Sequence, residues 1–192
     1  MEQVSDRSIR ISRDRHPPYM AGIISKRDVV ADDVNVVLNE NPGVEIIINV
    51  PAYGIWQGSG IFAAQVAGVA FGGMADLQSC IGQEDPSSHE KAEYAFIERG
   101  LRQHSRVANF IREADRLFRV LRNGLPEVRV LALYEYELSA EHLRTARERY
   151  GVFDLVLISN PNGQPTQGAA RVAEEFGVEL LMWGELLSRL NR

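Results

Sequence analysis

The chain has 192 residues, 45% of them hydrophobic and 24% charged, and a net charge of −5. These values exclude the extreme compositional classes, and at this length about 70% of the unfolded chain's surface is buried, so a core forms without disulfide or metal staples. The longest apolar runs, Ile46-Ile47-Ile48 and Leu155-Val156-Leu157-Ile158, are far shorter than the roughly 20 residues that span a bilayer. The first residues alternate in charge without a signal-peptide core, and Cys80 is the single cysteine, so a cytoplasmic chain without membrane attachment is expected. Of the 21 basic residues 19 are Arg, with Lys26 and Lys91 the exceptions. That bias suits bidentate phosphate or carboxylate contacts, and equally a GC-rich codon usage.

Residues 1–25 carry Arg7, Arg10, Arg13 and Arg15, then His16-Pro17-Pro18-Tyr19, where consecutive prolines bar a helix. They are expected as an extended arm before a single α/β domain over 26–192. Val30, Val34, Val37 and Leu38 recur at helical spacing before the Asn41-Pro42-Gly43 stop, which predicts a helix over 28–40. Val44 to Val50 reads as a buried strand, followed by a turn with Gly54, Gly58 and Gly60, and a small-residue helix over 61–69. Met74 to Ile81 fits a helical turn or a short strand alike.

Ser88 is placed to cap a long helical segment at about 89–122. Val107, Phe110, Ile111, Ala114, Leu117, Phe118 and Leu121 fall on one face of its wheel, with Arg112, Arg116 and Arg119 opposite. Asn123-Gly124 would end that helix. Strands over 128–134, 153–159 and 178–182 then alternate with helices over 140–150, 167–176 and 185–190. Ser139 and Thr166 stand at N-caps, and Gly151 and Gly177 at helix stops. The pattern predicts an α/β fold, a largely parallel central sheet of four or more strands flanked by helices. No internal repeat is visible.

Loops after the carboxyl ends of parallel strands share one sheet edge, where ligands bind at a switch point. Trp56, Gln57, Ser59, Asn160, Asn162 and Thr166 are therefore the candidate ligand-binding residues. Glu135 and Glu137 alternate with Tyr134 and Tyr136 at a strand end, so their carboxylates point to one face with Cβ atoms about 7 Å apart, an arrangement fit for a divalent metal or acid–base work. Arg112, Arg116 and Arg119 are the candidate phosphate-backbone contact. The four histidines show no ligand spacing, and no cofactor is indicated.

Residues 128–190 carry a strand ending in acids, a helix, the strand Leu155-Val-Leu-Ile-Ser-Asn, then Thr166, Ala170, Ala173, Gly177-Val178, Leu180-Leu181 and a helix from Glu185-Leu186 to Leu190. This series resembles the closing part of the restriction-endonuclease-like fold in its Mrr-type form. The resemblance implies an Asp, then Glu or Gln two residues before a Lys, with the acids holding the metal and the Lys orienting water. Here Glu137 stands in place of that Lys. The expectation is a nuclease-like module that binds nucleic acid without cutting and works as a homo-oligomer. The alternative is a small-molecule or nucleotide-binding domain, enzymatic or not, on loops 54–60 and 160–166.

Overall fold

Residues 1–25, expected as an arm, form the first three strands of a sheet in the computed structural model, which describes residues 1–192. Strands β1 (Glu2–Ser5), β2 (Ser8–Ile11) and β3 (Tyr19–Ile24) lead into β4 (Asp28–Val29), α1 (Ala31–Glu40) and β5 (Ile46–Asn49). Then come β6 (Ile55–Trp56), α2 (Gly58–Val66), β7 (Ala70–Gly72) and α3 (Met74–Cys80). A 3-10 turn at Pro86–Ser88 precedes α4 (Ala92–Gln103), β8 (Val107–Arg112), β9 (Leu117–Arg122) and β10 (Leu125–Leu133). The remainder is β11 (Glu137–Leu138), α5 (Ala140–Tyr150), β12 (Leu155–Ile158), β13 (Gln164–Pro165), α6 (Gln167–Phe176), β14 (Glu179–Leu181) and α7 (Trp183–Arg189). The chain divides into two compact units, Met1–Tyr94 and Ala95–Arg192.

In the first unit the sheet order is β1-β2-β3-β5-β7, with β2 antiparallel to both neighbours and β3, β5 and β7 parallel. Alternation along β5 splits its side chains between two layers. Ile47 faces a core with Val34, Val37, Ile61 and Ala64 of α1 and α2, while Ile46 and Ile48 face Tyr19, Leu77 and Cys80. In the second unit the order is β8-β9-β10-β12-β14, again with the second strand antiparallel and the last three parallel. Ile97 and Leu101 of α4 and Leu186 of α7 pack on Phe118, Val120, Val130 and Leu157, and burying a side chain such as Phe118 contributes about 1.5–3 kcal/mol. The sheets are thus mixed and not largely parallel. In both, successive crossovers step the same way across the sheet, so no strand-order reversal creates the expected switch point.

The two units repeat one design in one register. Asp28 and Glu137, Ala31 and Ala140, Ile46 and Leu155, Gly58 and Gln167, Ala70 and Glu179, and Met74 and Trp183 each begin equivalent elements 109 residues apart. Hydrogen bonds repeat with them: Ile23 N donates to Arg7 O and Ala132 N to Arg116 O, both at 2.8 Å, and Gln57 N donates to Val29 O and Thr166 N to Leu138 O, both at 2.9 Å. Identities are scattered, among them Asp6/Asp115, Arg7/Arg116, Arg10/Arg119, Arg13/Arg122, Pro17/Pro126, Gly54/Gly163 and Gly68/Gly177. A repeat that is invisible in the sequence pattern is therefore present in the backbone.

The helix expected over 89–122 is overturned beyond α4. Residues 107–122 form the hairpin β8–β9, and Asn123-Gly124 is the two-residue turn into β10, with Arg122 paired to Leu125 and Gly124 at φ +69°. Asn-Gly between apolar runs is a hairpin signal, and here Gly124 alone takes positive φ. Ser88 caps nothing. Asp85 instead accepts a hydrogen bond from Ser87 N at 3.0 Å at the head of the 3-10 turn. Met74–Cys80 resolves as helix, and the elements expected after Val128 lie within two or three residues of their predicted bounds. No helix is long and apolar enough to cross a membrane.

Candidate functional site

The loops singled out at 54–60 and 160–166 are one element seen twice. Each follows the second parallel strand, turns at Gly54 or Gly163, and enters a two-residue parallel pairing, β4 with β6 and β11 with β13. A Cβ on Gly54 would come within 3.0 Å of the Lys26 and Pro51 carbonyl oxygens, and one on Gly163 within 3.1 Å of their equivalents on Glu135 and Asn160. Glycine is required there by close backbone approach.

Most of the loop side chains are committed to that local structure. Trp56 is buried, donates its indole N–H to Gly72 O at 3.0 Å and stacks obliquely on Phe71. Gln57 precedes α2 and donates to the Asp28 carboxylate at 2.7 Å, and Ser59 is exposed in the first turn of α2. Thr166 caps α6, its hydroxyl accepting from Ala169 N at 3.0 Å. The Asn160 side chain accepts from Asn162 N at 3.0 Å, which stabilises the turn, and Asn162 is exposed. Gln57 and Thr166 occupy the same position of the repeat, and Trp56, Gln57 and Ser59 belong to one unit while Asn160, Asn162 and Thr166 belong to the other.

Glu135 and Glu137 lie beyond the end of β10 at Leu133, so the strand-end geometry expected for them is replaced by a solvent-facing loop and the start of β11. Glu135 has His142 Nε2 at 3.9 Å. No group of three His, Cys, Asp or Glu side chains is arranged to hold a metal ion.

The three arginines do not share a helix face, because their segment is a hairpin. Arg112 in β8 has only 7% of its side chain exposed, pairs with Glu98 at 3.3 Å and donates to Asp115 O at 2.8 Å. Arg116, in the turn, donates to Ala132 O at 3.3 Å. Arg119 in β9 faces Glu113 at 3.1 Å and Glu127 at 3.7 Å. Guanidinium groups paired in this way hold their own fold together. Exposed cations remain on α4 and just after it, at Arg99, Arg102 and Arg106. Arg102 pairs with Glu98 at 2.6 Å and lies 5.3 Å over the Phe110 ring.

Two polar clusters and one arginine between aromatic rings lie outside the candidate ligand, metal and phosphate-contact residues. Asp76 caps α3 by accepting from Gly73 N at 2.8 Å, and its carboxylate also meets His89 Nε2 at 3.1 Å and Lys91 Nζ at 3.2 Å. Gln83 orients the imidazole through Nδ1 at 2.9 Å, and burial together with Asp76 pushes the Cys80 thiol up to about 11. In the second unit Tyr150 donates to Asp115 at 3.0 Å; burial raises the Asp115 carboxyl against the opposing pull of Arg116. Arg147 sits between the Phe153 and Phe176 rings, at 5.5 and 5.2 Å. A capping Asp after Gly73 is the one local signal for the first cluster, since its partners lie 13 and 15 residues further on. No family model, curated protein or solved structure matches the chain.

Proposed function

We propose that the chain is a cytoplasmic, non-catalytic module of nuclease-like type that binds nucleic acid through the backbone phosphates, on the exposed Arg99, Arg102 and Arg106. The observation that carries this is their exposure: Arg99 and Arg102, three residues apart on α4, and Arg106 in the turn after it are open to solvent, Arg102 with 64% of its side chain exposed even while paired with Glu98, whereas Arg112 is 7% exposed in its pair with the same carboxylate. Residues 95–192 hold 14 Arg against 13 Asp and Glu, whereas residues 1–94 hold 7 Lys and Arg against 13 acids, so the second unit is the one whose charge tolerates a polyanion. Lack of turnover is supported by the loop after the third strand. It reads Ser25-Lys26-Arg27-Asp28 in one unit and Tyr134-Glu135-Tyr136-Glu137 in the other, and neither has an acid two residues before a Lys.

The test is a mobility-shift gel with single- and double-stranded DNA and RNA, with and without magnesium, at low salt. A shifted, intact band that disappears in the Arg99→Ala/Arg102→Ala/Arg106→Ala variant is expected. Cleaved products, or no shift at low salt where phosphate contacts are strongest, would overturn it.

A further inference from the structure

Equivalent edges of the two units carry opposite chemistry. In the first unit the parallel strands end at Ile24, Asn49 and Gly72. The residues just past them, Lys26, Arg27, Val50 and Met74, are all exposed, Val50 at 45% and Met74 at 51%. In the second unit the equivalent edge presents Tyr134 and Tyr136, at 50% and 67%, flanked by Glu135 and Glu137. Lys26 and Arg27 are the repeat counterparts of Glu135 and Tyr136. The first edge therefore carries apolar side chains and two cations, Lys26 at 3.8 Å from Asp33 and Arg27 beside the exposed Asp28, and the other is aromatic and acidic.

Both edges are held in shape before any partner arrives. The Asn49 amide clamps the Lys26 backbone, accepting from its N–H at 3.0 Å and donating to its C=O at 2.8 Å. Gln164 N donates to Tyr136 O at 3.0 Å, and the close approach of Gly163 to Glu135 packs the acidic loop against its neighbour. Preorganisation of this kind lowers the ordering cost of association.

We propose that these edges are the two halves of a self-association surface: the Lys26-Arg27 edge of one copy docks on the Tyr134–Glu137 edge of a second copy. Val50 and Met74 meet the tyrosine rings, and the guanidinium and ammonium groups meet the carboxylates and ring faces, giving an apolar centre with an ionic rim. Each copy owns both edges, so the contact joins unlike surfaces of two copies. The partner is a second copy of this chain because charge and apolar surface are complementary at positions that the repeat makes equivalent. The contact is separate from Arg99, Arg102 and Arg106, so its failure leaves the nucleic-acid reading standing, and the reverse.

Sedimentation velocity of the full chain, from micromolar to near-millimolar concentration at low and moderate salt, tests this. The wild-type chain is expected to dimerise with salt-sensitive affinity. Lys26→Glu/Arg27→Glu and Glu135→Lys/Glu137→Lys each weaken the dimer roughly tenfold or more, and the four changes together restore it. Circular dichroism of each variant checks that these exposed substitutions leave the fold intact. A wild-type chain that stays monomeric, single-edge reversals that leave the mass unchanged, or a combined variant that fails to recover would each overturn the proposal.

Discussion

Gly54 and Gly163 occupy equivalent positions 109 residues apart, and a Cβ on either would meet the same three neighbours: residues 26, 49 and 51 in one unit, residues 135, 158 and 160 in the other. Close backbone approach, more than any catalytic demand, explains these glycines. Gly54→Ala and Gly163→Ala are each expected to destabilise by about 1–3 kcal/mol, measured by denaturant unfolding. Gly184→Ala, where the added methyl meets nothing within 4 Å in α7, is expected to stabilise by roughly 0.5–1 kcal/mol. Equal, small effects at all three positions would contradict the packing described.

Asp76 is the charge that His89 and Lys91 converge on. Asp76→Asn keeps the shape but leaves His89 and Lys91 without a carboxylate, which is expected to cost about 2–4 kcal/mol and to loosen residues 83–91. Hydrogen exchange along that segment checks it. Lys91→Ala, whose side chain is 40% exposed, is expected to cost no more than about 1 kcal/mol.

The Glu98–Arg112 pair gives a structural role to an arginine that the sequence pattern alone assigns to ligand. Both side chains are 7% exposed, so Glu98→Gln is expected to cost about 3–5 kcal/mol in stability. Glu98 also pairs with Arg102 at 2.6 Å, so the same variant, once folded, is expected to bind nucleic acid at least as tightly as the wild type. Urea unfolding and a binding titration separate the two.

Alkaline pH offers a test on the first unit. Burial first, then Asp76, raises Cys80 from its ordinary 9.0 to about 11, and burial with Cys80 raises Tyr19 from 10.0 to about 12. Both acids are held protonated more tightly in the fold than in the unfolded chain. Their contribution is complete below the ordinary values and is lost as pH rises through the folded ones. Thermal stability is thus expected to fall above about pH 9, with Cys80→Ala removing the earlier part of the fall. Superimposable alkaline curves for variant and wild type would contradict this.

The second half of the fold is largely legible in the sequence because its punctuation is local. The Ser139 and Thr166 hydroxyls accept from His142 N and Ala169 N, and Gly151 and Gly177 take positive φ at the helix ends. The β8–β9 hairpin is not, because its apolar residues fit a helical wheel as well as a strand, while charged Arg112 and Arg122 point inward and disguise the alternation. Arg122 is buried with its guanidinium bonded to Pro126 O and Arg192 O. The repeat is hidden for another reason. Its cores are filled by different residues, Ile46-Ile47-Ile48 against Leu155-Val156-Leu157, and similar packing volume can be reached with few identities. The clusters at Asp76 and Asp115 join residues whose separation obeys no spacing rule, so only the folded chain brings them together.

The salt dependence of fluorescence anisotropy for a labelled duplex, wild type against the Arg99→Ala/Arg102→Ala/Arg106→Ala variant, bears most directly on the nucleic-acid reading. If those three arginines contact phosphates, the slope of log affinity against log salt is shallower in the variant by about 0.9 for each phosphate no longer neutralised, and the duplex is recovered intact. An unchanged slope, or cleaved duplex in the wild-type sample, would contradict it.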